Sequence, residues 1–481
     1  IAIIGKGASA LGVISTLENS NIHNLEVDIF CDDIHENINS EILSDKDVNK
    51  FYKNSINFKL VPPKINIRKN IIDNQEIFNE KYEPMSLWGT SFLPFNNDDL
   101  KENGLSKNEM EKAYYEISKI IPISGNKEDL IEKYYNNTYI NQAKLKVDLN
   151  INSMIDNLNG ITPVYSFITG QARLALKSNP NINNNKCQCI INNCEIHNLF
   201  LSNDIEDHIK KSKIKPNIIN QKVYKIDFSN KKVIFFNEKV HKSKKYNLIF
   251  VCAGAKKTLN ILSNSLEIND FTISENSSYI FPIFSLNILN LFRKIENFSL
   301  TNTVTLIKNI NLTEKDEMFL QIYSTSKHTW KSIVPKFLWK ASDLISPLLS
   351  KIIYVGILYL GDKDRTDYDI SFNESKINYK KKIKKSLNGK VKSVIKEINK
   401  KIGIINFIPF FIFKESKTSH HFGRIKINEC FLYDKIKKYE DDGIYFCGSS
   451  IFKKLPSSSP TYSIMAQSNI LAKKALANFN L

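Results

Sequence analysis

The alternation of apolar and polar positions predicts strand, turn and helix at both ends of the chain. Residues 1–31 begin with the apolar run IAII, continue through a glycine turn into a helix, and end in a second strand, EVDIF. Residues 222–262 predict short strands that lead into a helix, and residues 443–475 predict a strand, a Ser/Pro loop and a helix. These three segments are expected to pack as one domain.

The middle of the chain predicts a different arrangement. Residues 275–325 and 352–372 predict strands without long helices between them, which favours an antiparallel sheet in a second domain. The apolar stretch 344–361 is interrupted by Pro347 and Lys351, so it predicts a helix followed by a strand and not a membrane span. The sequence therefore predicts an α/β fold in which a Rossmann-like domain is interleaved with an α+β domain built on an antiparallel sheet.

Residues 378–401 carry an apolar stripe at helical spacing, with lysines over the remaining faces. An amphipathic helix for a membrane or a nucleic acid is one interpretation. A surface helix with a buried stripe is preferred, because no Trp or Phe anchors the apolar side. The stripe consists of Ile383, Leu387, Val391, Val394, Ile395 and Ile398.

Composition limits the possible partners. The chain has 481 residues, 42% of them hydrophobic, which is typical of a folded protein of two or three domains. The net charge of +17 suggests a polyanion, but Lys, Asn and Ile are abundant along the whole chain, as an AT-rich genome would produce. We therefore expect a diffuse basic surface without a nucleic-acid partner. Cys31, Cys252 and Cys447 lie in apolar runs, which predicts buried, reduced thiols and a cytoplasmic location.

The opening segment IAIIGKGASALG contains the G-x-G-x-x-G/A fingerprint, directly after an apolar strand and at the start of a helix. Gly5 permits the tight turn, Gly7 lets a pyrophosphate approach the backbone, and Ala10 is small enough for close packing of the helix on the strand. The free N–H groups of the helix, which includes Ser9, face the phosphates. This pattern predicts a dinucleotide site.

An acidic residue is expected near the end of the second strand, where it would bind the ribose. Asp32 or Asp33 supplies it, although Cys31 can occupy the strict position. The fingerprint alone does not choose between a nicotinamide and a flavin dinucleotide.

The C-terminal segment GIYFCGSSIFKKLPSSSPTYSIMAQSNILAKKAL resembles the closing signature of the glucose-methanol-choline flavoprotein oxidoreductases. That resemblance implies FAD, with Gly448 and Ser449 near the ribityl chain. It also implies that Pro460 and Thr461 lie beside the flavin ring, above a helix N-terminus that stabilises the negative charge of the reduced flavin.

Three further stretches resemble the same family. LIFVCAGAKKTLNIL implies that Ala253 and Gly254 pass close to the dinucleotide, and Val223 stands where the family contacts adenine. SLWGTSFLPF is similar to the segment that covers the flavin, and SHHFG is similar to the H-x-x-G motif of the catalytic histidine. The covering segment is centred on Trp88, Gly89 and Thr90.

His420 is the expected base, because an imidazole suits the removal of a hydroxyl proton while a hydride leaves the same carbon. His421 would orient it or pack beside it. The family usually has Asn or His before the last-loop proline; this chain has Ser459, which can donate a hydrogen bond but implies a one-histidine mechanism. No histidine lies between residues 36 and 196, so a histidyl link to the flavin from that region is excluded and noncovalent binding is expected.

The segment KCQCIINNCEIH supplies three thiols and one imidazole that could bind zinc: Cys187, Cys189, Cys194 and His197. Their spacing is not the usual paired C-x2-C arrangement, so free or packed thiols are preferred over a metal site.

The resemblance implies an FAD-binding domain (1–95, 215–265 and 436–481) and a substrate-binding domain (96–214 and 266–435). The expected activity is oxidation of a hydroxyl group on a small alcohol, polyol or sugar-like substrate, with hydride transfer to the flavin; the electron acceptor is left open. The alternatives are a flavoprotein that acts on a nucleotide- or lipid-linked sugar and a flavin- or polyanion-binding protein without turnover.

Overall fold

A computed structural model describes most of the chain. The described residues are 1–20, 22, 24–31, 91–145, 147, 149–176, 200, 202–237, 240–284, 301–312, 317–325, 351–373, 376–382, 387–402, 414–416 and 422–479.

Separate segments of the chain join in one parallel sheet, in which five described strands follow the order β22–β11–β1–β2–β7. All four pairings are parallel, and the three inner strands are fully buried, as their short apolar sequences predict. The strands are β1 (Ala2–Ile4), β2 (Asp28–Cys31), β7 (Asn217–Asn220), β11 (Ile249–Val251) and β22 (Ile444–Phe446).

Three helices begin at the carboxyl edge of this sheet: α1 (Ala8–Glu18), α7 (Gly254–Leu266) and α10 (Thr461–Asn478). The strand, turn and helix predicted for residues 1–31, 222–262 and 443–475 are therefore present. Six consecutive exposed residues, VHKSKK, also form a strand, which the sequence did not predict. It completes a small antiparallel sheet of β8 (Val223–Asp227), β9 (Lys232–Asn237) and β10 (Val240–Lys245).

Two larger antiparallel sheets follow from the middle of the chain, as predicted. One has the order β19–β13–β16–β15–β14–β5–β4, the other β18–β17–β12–β20–β21, and a short pair joins β3 to β6. Their strands are β3 (Ile123–Ser124), β4 (Gly160–Ile161), β5 (Tyr165–Gln171), β6 (Leu174–Ala175), β12 (Asp270–Glu275), β13 (Ser278–Phe284), β14 (Thr301–Asn309), β15 (Glu317–Ser324), β16 (Ile353–Tyr359), β17 (Thr366–Asn373), β18 (Lys376–Lys382), β19 (Lys414–Ser416), β20 (Phe422–Ile427) and β21 (Cys430–Phe431).

Helices cover one face of the seven-stranded sheet. Val391, Val394 and Ile398 of α8 (Leu387–Ile402) are buried there together with Ile151 and Met154 of α5 (Leu149–Leu158). The other described helices are α2 (Asn97–Glu102), α3 (Lys107–Ser118), α4 (Leu130–Tyr135), α6 (Ser202–Lys211) and α9 (Leu432–Ile436).

Of the stripe predicted over residues 378–401, Val391, Val394, Ile395 and Ile398 form a buried packing face, and the helix begins only at Leu387. Ile383 lies outside the described residues. Residues 376–382 form β18, paired with β17, because sheet pairing overrides the local helical pattern. In the apolar stretch 344–361, the described part forms β16 and the predicted helix lies outside the described residues. No helix in the described ranges is long and apolar enough to cross a membrane.

Candidate functional site at the carboxyl edge of the parallel sheet

Three neighbouring strands end side by side at this edge. The register pairs Ile4 with Val251 and Val251 with Phe446, and the hydrogen bonds continue one residue further. The N–H of Cys252 donates to the carbonyl of Ile4 at 2.8 Å, and the N–H of Cys447 donates to that of Val251 at 2.9 Å. Because parallel strands place their carboxyl ends together, the turns after β1, β11 and β22 converge there.

The first turn needs a glycine. Gly5 has φ +107°, and a Cβ on it would lie 2.4 Å from the carbonyl oxygen of Cys252. Gly7, the residue that precedes α1, differs: a Cβ built on it would meet no described atom within 4 Å. Protein backbone therefore fills the space beside Gly5, whereas no described atom fills the space beside Gly7. A ligand could approach the backbone at Gly7.

The helices that begin here lack side-chain caps. Gly7, Ala253 and Pro460 precede α1, α7 and α10; none makes a side-chain cap hydrogen bond, and none of the three first turns holds an acidic residue. By contrast, α2, α3 and α4 begin with side-chain caps and have acidic first turns; their caps are Asn96, Ser106 and Asp129. The edge of the sheet therefore presents positive helix ends with free N–H donors, which favours an anionic ligand.

The turn after β22 lies against the start of α1. Gly448 has φ +96°, and a Cβ on it would lie 2.9 Å from the hydroxyl oxygen of Ser9. Ser450, in the same turn, is buried, and its hydroxyl has no hydrogen-bond partner among the described residues. A buried hydroxyl without a protein partner is a feature of ligand sites, and the second serine of CGSS was its only signal in the sequence.

Gly423, the last residue of SHHFG, packs against the same turn. A Cβ on Gly423 would lie 2.5 Å from the carbonyl oxygen of Ser449 and 2.8 Å from its Cβ. The end of the histidine motif and the turn after β22 are thus in direct contact, although about 25 residues separate them in the sequence.

The residues that follow Trp88–Thr90 pack on the first turn of α10. The rings of Phe92 and Tyr462 stack with centroids 4.2 Å apart. The N–H of Phe95 donates to the hydroxyl oxygens of Tyr114 (2.9 Å) and Ser463 (3.1 Å). Burial raises the pKa values of Tyr114 and Tyr462, so both remain neutral hydroxyl groups.

A buried charged cluster lies beside this segment. The ammonium of Lys454 is 3.2 Å from Asp99, and Asn96 donates to the carboxylate of Glu317 at 2.6 Å. Burial raises the pKa of Asp99 to about 7; Lys454 opposes the shift and Glu317 adds to it. Asp99 therefore titrates near neutral pH, and the sequence did not predict this cluster because its members are far apart in the chain.

Cys31, Cys252 and Cys447, at the sheet edge, are buried, as predicted. Burial raises the pKa of the Cys252 thiol well above its ordinary value, and a hydrogen bond with Cys447 adds to the shift. The Cys252 thiol therefore stays protonated and unreactive.

The structure brings together most of the predicted residues that it describes. Val223 is buried and comes three residues after the end of β7, at the same edge of the sheet. Ala10 is fully buried, Ser459 is half-buried, and Pro460 and Thr461 begin α10.

Several predicted residues lie outside the described residues: Asp32, Trp88, Gly89, Thr90, His420 and His421, and the possible zinc ligands Cys187, Cys189, Cys194 and His197. Within the described part of the chain there is no group of three or more His, Cys, Asp or Glu residues that could hold a metal ion.

Comparison with known proteins gives the fold. No family model matches the chain, and no curated protein matches its sequence. Among solved structures, pyridoxine 4-oxidase from Mesorbium loti is similar over 98% of both chains, with a TM-score of 0.57 and 10% identity. An FAD-dependent oxidoreductase from Chaetomium thermophilum, in complex with a fragment, is similar over 100% of this chain and 99% of its own, with a TM-score of 0.53 and 11% identity.

The chain has the fold of these two enzymes. Their likeness over the full length confirms the predicted α/β fold with a Rossmann-like parallel sheet and antiparallel sheets.

Proposed function

We propose that this protein is an FAD-dependent oxidoreductase of the glucose-methanol-choline family that oxidises a CH–OH group. The observation that carries the proposal is the contact between Gly423 and Ser449, because it joins the motif of the expected base to the turn that closes the dinucleotide site. The full-length likeness to two oxidoreductases supports the same family.

The residues at the sheet edge fit FAD. The open space over Gly7 and the uncapped N-terminus of α1 suit the pyrophosphate, while the unpartnered hydroxyl of Ser450 can bond to a polar group of the ligand. The proposed FAD-binding residues are Gly5, Gly7, Ser9, Ala10, Asp32, Trp88, Gly89, Thr90, Val223, Ala253, Gly254, Gly448, Ser449, Pro460 and Thr461. Bound FAD would supply the acceptor for the hydride that leaves the substrate carbon.

Residues of the chain itself accept the hydroxyl proton and bind the substrate oxygen. His420 accepts the hydroxyl proton as a general base, and His421 orients it or packs beside it. Ser459 donates one hydrogen bond to the substrate oxygen. The uncapped N-terminus of α10 stabilises negative charge that develops next to it. Loss of one proton and one hydride from the CH–OH group leaves a carbonyl product.

The substrate is proposed to be a small hydroxylated molecule bound by residues 96–214 and 266–435, with FAD bound by residues 1–95, 215–265 and 436–481. A cytoplasmic location is also proposed, because Cys31, Cys252 and Cys447 lie in apolar runs where reduced thiols are expected. Pyridoxine, named in one structural neighbour, belongs in the first group of alcohols, polyols and sugars to be tested.

Purification and anaerobic titration test the proposal. The expected protein is yellow, releases FAD on denaturation, and loses its flavin absorbance when an alcohol, polyol or sugar from the panel is added without oxygen. Bleaching only by nucleotide- or lipid-linked sugars would favour the sugar-directed alternative. A yellow protein that no compound bleaches would favour a binding protein without turnover, and a colourless protein that binds polyanions would overturn the flavoprotein proposal.

A further inference from the structure

A short turn after β16, residues Asp362–Asp364, contacts both the strand that follows the histidine motif and the loop before α10. The carboxylate of Asp362 accepts from Nη1 of Arg424 at 2.8 Å (Oδ1) and 2.5 Å (Oδ2). Its Oδ1 also accepts from the backbone N–H of Leu455 at 3.1 Å. Arg424 directly follows SHHFG, and Leu455 lies in the loop between β22 and α10, so one carboxylate bridges the histidine motif and the closing loop.

The bridge is buried and holds a strained backbone. The side chains of Arg424 and Asp362 are only 10% and 18% exposed. Arg424 has φ +50°, in the left-handed region that non-glycine residues rarely adopt. The guanidinium also lies 5.1 Å from the ring centroid of Phe431. Arg424 lies where the pairing of β20 with β12 shifts register, between Gly423 and Lys426, and strain of this kind persists only when the surroundings impose it.

The closing loop is fixed at a second, adjacent point. The amide of Asn276 donates to the carbonyl of Pro456, the residue after Leu455. The hydroxyl of Ser277 donates to the carbonyl of Asp364 at 2.6 Å. Asn276 and Ser277, which precede β13, thus hydrogen-bond to both the closing loop and the turn that carries Asp362. These bonds hold Asp362 in a fixed position.

We propose that Arg424 and Asp362 are positioning residues that hold Phe422 and Gly423, the described end of the SHHFG motif, at a fixed distance from the loop before α10. The proposal rests on the proposed function, in which His420, four residues before Arg424 in the sequence, is the base. Base and hydroxyl must meet within hydrogen-bond distance, and a misplacement of about 1 Å can cost on the order of 100-fold in rate. The carboxylate of Asp362 is shared between Arg424 and Leu455. It therefore restrains the distance between the end of the histidine motif and the closing loop.

The chain offers a matched control for this role. Arg365 also contacts Asp362, at 3.3 Å, and pairs with Asp367 at 3.0 Å, but both partners lie in or beside its own turn. Arg365→Ala removes a similar charge next to the same carboxylate without releasing the histidine motif. Arg424→Lys is the conservative variant, because a single nitrogen of Arg424 makes both contacts and an ammonium can replace it.

The experiment measures flavin content, the anaerobic rate of flavin reduction at saturating substrate, and hydrogen exchange of peptides covering 422–427 and 452–458. In Arg424→Ala we expect the flavin to remain, reduction to slow by at least about tenfold, and exchange to rise in both peptides. Arg424→Lys should restore most of the rate, and Arg365→Ala should match the wild type. If Arg424→Ala does not fold, Asp362→Asn, which keeps a neutral acceptor, should show the same pattern more weakly.

Equal effects of Arg424→Ala and Arg365→Ala would overturn the proposal, as would a failure of Arg424→Lys to restore the rate. If no hydroxylated compound reduces the wild-type flavin, the proposed function fails. The hydrogen exchange of the two peptides then tests by itself whether Arg424 and Asp362 restrain the two segments. A rise in both peptides in Arg424→Ala would then support it, and unchanged exchange of the 452–458 peptide would overturn it.

Discussion

Gly12, in the middle of α1, lies directly against the carbonyl group of Met465 in α10. A Cβ on Gly12 would be 2.2 Å from that oxygen and 2.9 Å from the Cβ of Ser468. The two helices therefore pack backbone to backbone, which brings the N-termini of α1 and α10 to the same site.

Gly12→Ala should destabilise the protein. In an exposed helix the change from glycine to alanine stabilises by about 1 kcal/mol; here the methyl group overlaps a buried carbonyl, and we expect a loss of about 1–3 kcal/mol. Urea unfolding measures the change. Gly389→Ala, at an exposed position of α8 where a Cβ meets no described atom within 4 Å, is the control and should be neutral or stabilising. Equal stability of the two variants would contradict the close packing.

Gly7→Val and Gly5→Ala should separate cofactor binding from folding. A Cβ at Gly7 meets no described protein atom within 4 Å, so Gly7→Val should fold with wild-type circular dichroism but yield colourless protein. Gly5→Ala should instead lower the unfolding temperature, because φ is positive and the added Cβ overlaps the carbonyl oxygen of Cys252. Full FAD occupancy in folded Gly7→Val would refute the pyrophosphate site.

His420→Ala should keep the yellow flavin, because the phosphate turn and α10 are untouched, and should slow flavin reduction by about 100-fold or more. The wild-type rate should rise with pH through an apparent pKa of about 6–7, as expected for an imidazole base, and the variant should lose this limb. Ser459→Ala should cost less, about the contribution of one hydrogen bond. Stopped-flow measurements of flavin reduction across the pH range compare the wild type, His420→Ala and Ser459→Ala. A wild-type pH profile in His420→Ala would show that SHHFG has a structural and not a catalytic role.

The raised pKa of Asp99 should make stability depend on pH. Its pKa is about 7 in the folded protein and about 3.9 when unfolded, so between these values the folded state binds the extra proton and this group lowers stability as pH rises. Asp99→Asn should therefore gain stability relative to the wild type between about pH 4 and 7. Glu102→Gln removes an exposed carboxylate that faces the same Lys454 and is the control. Parallel stability curves for Asp99→Asn and the wild type would show that Asp99 does not titrate in this range.

Local sequence determined the part of the architecture built on the parallel sheet. The runs around Gly5, Ala253 and Gly448 each combine an apolar strand, a small-residue turn and a helix, and these signals depend only on residues close together in the chain. The structure contains all three in the predicted order. Val391, Val394, Ile395 and Ile398, in the stripe predicted over residues 378–401, were also correctly predicted to form a packing face, because their periodicity is local.

Local pattern was insufficient where pairing across the chain decides the conformation. Residues 376–382 have a helical pattern but form a strand, since β17 provides hydrogen bonds that no local signal shows. The exposed strand β10 exists for the same reason.

The sequence by itself predicted the residue types of the candidate site, because a tight turn that a pyrophosphate approaches favours glycine and an imidazole suits proton transfer near neutral pH. Only the tertiary structure decided which distant residues meet: Gly12 with Met465, Gly423 with Ser449, and Asp362 with both Arg424 and Leu455. These contacts depend on how sheets and helices from separate segments pack, and that packing is a property of the whole chain and not of any single segment.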